Sequence, residues 1–216
     1  MTVVVFADIA CPWATLAVHR FHDARRRADV GVRLDLRAFP LELINRRPTP
    51  KAALDAEVPV IGALAPTAFR PWAADPSTWP VTTLLALEAV ATAKEQGLEA
   101  SAALDLALRD AMFVQHRCIS LLPVVLDVAE ATDGVDAGVL EEGLADGRGR
   151  RSVLRDLAVA RGGEVEGSPH AFLPDGTEVH NPGIEHHMAG GRGVSFPVID
   201  ADDPHAWDDI VRRASG

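Results

Sequence analysis

The stretch FADIACPWATLAVHRF, Phe6 to Phe21, joins the end of an apolar run to the start of a helix and sets Cys11 at the joint. Upstream, Thr2-Val3-Val4-Val5-Phe6 is short, β-branched and continuously apolar, as in a strand buried on both faces. Pro12 suits a first helical position, where the N–H that proline lacks has no partner anyway. Leu16, Ala17, Phe21, Ala24 and Ala28 then recur at helical spacing until Gly31. Beyond it, Val32, Leu34, Leu36 and Ala38 alternate with Arg33, Asp35 and Arg37 in the period of a half-buried strand. The first forty residues therefore read as β-helix-β with a parallel strand pair, the nucleus of an α/β fold.

The whole chain fits that nucleus. Its 216 residues, 48% of them apolar, suffice for one domain or for a domain carrying a large insertion. A formal charge of -10, from 31 acidic and 21 basic residues, would repel a phosphate backbone or an anionic membrane. The N-terminus MTVVVFADIA has neither a basic leader nor an apolar segment near ~20 residues, which points to the cytoplasm. Cys11 and Cys118 are too few for a disulfide scaffold, so any chemistry they perform is transient.

Eight prolines punctuate residues 40–80, which read as a long surface connection with a short helix near Lys51 to Ala56. Helical patterns follow, from Leu84 to a stop at Gly97, from a Ser101 cap to about Val114, and from a Ser120 cap to Thr132. Shorter helices are expected over Val135–Leu144 and Arg150–Ala160. β structure returns after Gly163: Ala171-Phe172-Leu173, a Pro174-Asp175-Gly176 turn, then Thr177 to Val179. A last helix opens at Asp203-Pro204. The expected architecture is a discontinuous α/β domain, residues 1–60 and 161–216, interrupted by a helical insertion at 61–160.

A thiolate at a helix N-terminus is stabilised by free N–H groups and the positive end of the helix dipole, which lowers its pKa from ~8.5 toward 7. On that reading Cys11 is a nucleophile at neutral pH; the opposing reading makes it a small buried apolar side chain. Trp13 would cover the sulfur and offer an apolar surface to a substrate. Cys118 reads as a packed thiol, and pairing it with Cys11 would need Cα atoms within ~7 Å. His180, His186 and His187 with Glu185 lack a spacing that would hold zinc on one element, so no metal is expected and the segment reads as a polar loop near the pocket mouth. Gly190, Gly191 and Gly193 lack the strand-then-helix setting of a dinucleotide fingerprint.

Three motifs in order carry a resemblance: Cys11-Pro12-Trp13-Ala14 after the first strand, the segment MFVQHRCIS from Met112 to Ser120 in the helical block, and Gly167-Ser168-Pro169 before the closing hairpin. Together, over roughly Val3 to Ala214, they resemble the DsbA family of thioredoxin-fold oxidoreductases, in particular its FrnE-like cytoplasmic branch. The resemblance implies a thioredoxin-like α/β fold with an inserted α-helical subdomain. It further implies an active cysteine at Cys11 flanked by Pro12 and Trp13, and a cis-proline opposite it at Pro169. Ser168 would then be the residue whose backbone meets a bound thiol substrate.

The departure lies at Ala14, where disulfide-exchanging members carry a second cysteine. Cys11 could still form a mixed disulfide, which a thiol from outside the chain must release. The expected function is thus single-cysteine thiol–disulfide exchange on a small-molecule or protein thiol or disulfide. No tightly bound cofactor is expected beyond a low-molecular-weight thiol, and neither nucleic acid nor membrane is an expected partner. Two other readings stand beside it: a kappa-type glutathione transferase or hydroxychromene-carboxylate isomerase, which uses serine at this position with a thiol cofactor, and a non-catalytic thioredoxin-fold binding module.

Overall fold

A computed structural model describes residues 1–191 and 194–215. Strand β1 (Thr2–Ala7) pairs in parallel with β2 (Arg33–Ala38), Val5 opposite Leu36, as the alternation predicts. Its other edge pairs antiparallel with β3 (His170–Phe172), which pairs with β4 (Glu178–His180), giving the order β2-β1-β3-β4. Central placement explains the unbroken apolarity of β1, in which Val3, Val5 and Phe6 are all buried.

Helix α1 (Pro12–Ala28) runs from Cys11, its N-cap, and packs the stripe Leu16, Ala17, Phe21 and Ala24 into the core. It ends earlier than Gly31: Asp29 takes the left-handed conformation with φ 51 and its N–H returns to the Arg25 and Arg26 carbonyls.

The 40–80 connection is more ordered than its prolines suggest. Besides α2 (Leu41–Ile44) it contains α3 (Lys51–Gly62), which continues through Pro59 well past Ala56. Proline inside a helix costs about 3 kcal/mol, but the stripe Leu54, Val58, Ile61 is buried, and each such side chain contributes roughly 1.5–3 kcal/mol. Burial wins.

Between this connection and β3 lie α4 (Leu84–Ala93), α5 (Leu98–Phe113), α6 (Leu122–Glu130), α7 (Ala137–Ala145) and α8 (Arg148–Arg161). The two serines expected as caps bond elsewhere. Ser101 lies within α5, buried, and donates to the Val90 carbonyl at 2.8 Å, tying α5 to α4. Ser120 precedes α6 and exchanges hydrogen bonds with the backbone of Thr82, 2.7 and 3.1 Å. In both places a long-range polar contact takes the hydroxyl that a local cap would have used.

The segment expected as a polar loop is instead an antiparallel hairpin, β5 (Ile184–Gly191) and β6 (Val194–Asp202), with a bulge between Glu185 and His186. Ile184, His186 and Pro197 turn inward while Glu185, His187, Met188 and Phe196 meet water, so the two faces differ in burial although polar and apolar residues do not alternate along the strands. Gly190 and Gly191 belong to its strand, and Gly193 lies outside the described residues. Helix α9 (Ala206–Arg213) closes the fold, its Trp207 edge-on to Phe21 at 5.8 Å.

Candidate active site

The loop between β1 and α1 is held from both sides. Cys11 N–H donates to the Asp8 carbonyl at 3.3 Å, and the Cys11 carbonyl accepts from Thr15 N–H at 3.0 Å and the Thr15 hydroxyl at 3.2 Å, which starts the helix on the cysteine. Its thiol donates to the Ser168 carbonyl at 3.0 Å. The Ser168 hydroxyl accepts from Asp8 N–H at 2.9 Å, and the Ser168–Pro169 peptide is cis. The distant Gly-Ser-Pro and Cys-Pro-Trp segments thus meet through two hydrogen bonds: Ser168 contacts the sulfur, Trp13 and Pro169 line the crevice beside it, and Pro12 follows Cys11 as the first residue of α1.

The electrostatics reverse one sequence expectation. Cys11 is 5% exposed, and burial pushes its thiol up to about 11 rather than down toward 7. Hydrogen bonds from the Ser168 side chain and from the Ala14 N–H favour the thiolate, while the charges of Glu57 and Asp8 oppose it. Desolvation exceeds what the helix terminus supplies. The resting group at neutral pH is a thiol, used as a donor to Ser168. Ala14, fully buried, presents its backbone N–H where the family's second cysteine would stand.

Behind this loop lies a polar layer. Asp8, fully buried, accepts from Ala10 N–H at 2.8 Å, Leu41 N–H at 2.8 Å and the Thr83 hydroxyl at 3.0 Å. Burial raises its pKa above the usual carboxylate range, and those donors together with Arg109 pull it back. Arg109, also fully buried, donates to the Asp8 carbonyl and the Thr15 hydroxyl, each at 3.0 Å, and forms a two-bond pair with Asp105 one helical turn away. The helical block thereby grips the cysteine loop through one guanidinium. The sequence carried a signal for Asp8, an acid inside a buried apolar run; for Arg109 and Asp105 only their i, i+4 spacing was legible.

Trp13 is stacked on His186 of β5, ring centroids 3.9 Å apart and 16° from parallel. Next to them a narrow crevice of about 10 Å³, room for no more than a water molecule, is lined by Trp13, Arg20, Pro169, Asn181 and Ile184, among others. Arg20 reaches across it to Asp202 of β6 at 2.7 Å, pinning the hairpin to α1. Of the three histidines, only His186 meets the site. His187, on the opposite face of the strand, pairs with Asp200 at 2.8 Å, and His180 lies 3.7 Å from the Glu166 carboxylate. Among the described residues no three His, Cys, Asp or Glu side chains gather as a metal would require. Cys118 is half-buried in the turn before α6, and both thiols are unpaired. No helix among the described residues is long and apolar enough to cross a membrane.

Comparison with known proteins agrees with this geometry. A model of the DSBA-like thioredoxin domain matches residues 2–189. No curated protein matches the chain. Among solved structures, the cytosolic disulfide reductase DsbM from Pseudomonas aeruginosa with GSH superposes with a TM-score of 0.63 at 16% identity, covering 98% of each chain. A probable DsbA oxidoreductase from Streptomyces coelicolor gives 0.66 at 24% identity, over 83% of this chain and 82% of that one. A 2-hydroxychromene-2-carboxylate isomerase gives 0.57 at 19% identity, over 83% and 88%. At such identities these three speak for the fold alone. The family model spans nearly the whole chain, and the chain belongs to the DSBA-like thioredoxin-domain family.

Proposed function

We propose that this protein is a thiol–disulfide exchange enzyme that works through Cys11 alone. The observation that carries the reading is the placement of one thiol, at a helix N-terminus, 3.0 Å from the carbonyl before cis-Pro169, with a methyl group and not a second sulfur at position 14. Ionised Cys11 attacks one sulfur of a disulfide; a Cys11 mixed disulfide forms and the other half leaves as a thiolate, which takes up the proton that Cys11 gave. An external thiol then attacks the mixed disulfide, carries away the bound half as a new disulfide and regenerates Cys11. In this reading the Ser168 carbonyl, freed of the thiol it accepts at rest, accepts a hydrogen bond from the incoming group. The Ala14 N–H supports the thiolate while it exists.

The reducing partner is a low-molecular-weight thiol of the glutathione type, a reading supported by the similarly folded DsbM, whose structure is known with GSH. The cytoplasm is the compartment that supplies such a thiol and keeps Cys118 reduced. Residues 61–160 are the helical insertion, which holds the cysteine loop from behind through Arg109.

The test is turnover. Hydroxyethyl disulfide with excess glutathione should be reduced by the wild type and by Cys118→Ser, and not by Cys11→Ser. Equal rates for wild type and Cys11→Ser remove the reading. Turnover of a non-disulfide substrate that requires glutathione and survives Cys11→Ser would favour the kappa-type isomerase alternative.

A further inference from the structure

We propose that the cleft between α3, the proline-rich 66–80 connection and the C-terminal end of α5 is a binding site for a small organic anion with a flat apolar body. The cleft has a free volume of about 280 Å³ and its walls are Leu54, Val58, Trp72, Trp79, Met112 and Phe113. That volume sits at the small end of the range for small-molecule sites, the size of a one- or two-ring ligand, and the composition is typical of them: apolar walls supply affinity and a few charges set orientation.

The walls are already in place. Trp72 meets Trp79 edge-on with centroids 4.9 Å apart and lies 5.4 Å from the His116 ring, so its plane is fixed from two sides. Arg70 N–H donates to the Phe113 carbonyl at 2.8 Å, tying the connection to α5. A flat ligand lying against such fixed rings gives up little order on the protein's side.

Charge selects the sign. On a chain of formal charge -10, this cleft carries Lys51 and Arg70 against Asp55 alone. Asp55 holds Lys51, at 2.7 and 2.8 Å, and the Lys51 ammonium rests 5.4 Å from the Trp79 ring centroid. Arg70 has no carboxylate within ion-pair distance among the described residues and is exposed at the cleft. An anionic group on the ligand completes it.

Isothermal titration with 2-naphthalenesulfonate, followed in parallel by tryptophan fluorescence, tests the site. Wild type and Cys11→Ser should each bind one equivalent; Arg70→Glu should weaken binding at least tenfold; Asp55→Asn, which releases Lys51, should tighten it about threefold. The neutral 2-naphthalenemethanol should bind at least tenfold more weakly than the sulfonate. Absence of saturable binding at millimolar probe, or equal affinity in wild type and Arg70→Glu, overturns the proposal. Hydroxyethyl disulfide turnover keeps this site separate from the exchange reading: binding by a protein that cannot turn it over leaves the site, whereas turnover without binding removes the site and leaves the exchange reading.

Discussion

The Cys11 thiol donates to the Ser168 carbonyl across 157 residues of sequence, and this bond joins the start of α1 to the cis-proline segment that leads into β3. In the resting protein the sulfur's proton is engaged and the site is closed. Burial, rather than the helix terminus, sets the acidity of the thiol.

Alkylation of Cys11 should therefore climb about tenfold per pH unit from pH 7 through 9 without levelling near 7, since the rate follows the thiolate fraction. The measurement is the iodoacetamide rate in Cys118→Ser across that range. A plateau below pH 8 would mean that the helix terminus outweighs burial after all.

Trp13 and its His186 partner supply part of that cover. Trp13→Ala should let water reach the sulfur, bring the apparent pKa down toward the free-thiol value of ~8.5, and speed alkylation at pH 7.5 at least tenfold. His186→Ala should act in the same direction and less. An unchanged profile in Trp13→Ala would assign the burial to the loop alone.

Glu57 makes a separate pH prediction. Burial raises its carboxyl to about 7 from an ordinary 4.5. A group whose pKa rises on folding contributes stability that is fully present below the unfolded value and is lost as pH rises through the folded one. Relative to wild type, Glu57→Gln should gain roughly 1–3 kcal/mol between pH 4.5 and 8, read from urea midpoints at each pH. Removing the carboxylate should also lower the Cys11 pKa, because its charge opposes the thiolate.

Arg109→Met should cost about 3–5 kcal/mol, because it strands the buried Asp105 carboxylate. Adding Asp105→Leu should recover most of that loss. Alkylation of Cys11 should remain faster than wild type in the double variant, which still lacks the guanidinium that holds the Asp8 carbonyl. Full recovery of both stability and the slow alkylation rate would make Arg109 a packing residue with no hold on the loop.

Much of this was readable in the sequence where the signal was local. The β1-α1-β2 unit follows from apolar continuity, Pro12 and a clean alternation, and the cysteine's place at the helix start follows with it. What escaped depends on partners far along the chain. Pro59 hid the second half of α3, since the burial that overrides a proline is a tertiary quantity. Ser101 and Ser120 fit the pattern of caps but commit their hydroxyls to other segments. The β5–β6 hairpin was masked by histidines and glycines, whose local preferences say little about a strand laid against α1 and α3. The elevated thiol pKa was out of reach for the same reason: a helix N-terminus is visible in a sequence, and the degree to which the fold closes over it is not.

The central claim, a single working sulfur, is tested most directly by the intact mass of the wild-type protein after incubation with oxidised glutathione. The expected spectrum contains one glutathione adduct, located at Cys11 by peptide mapping, that persists until a reductant is added. The Ala14→Cys variant, treated alike, should instead close a disulfide between Cys11 and the introduced thiol, lose two hydrogens and carry little adduct. A wild type that takes up no glutathione at Cys11, or that clears the adduct unaided by closing a disulfide to Cys118, would contradict the account.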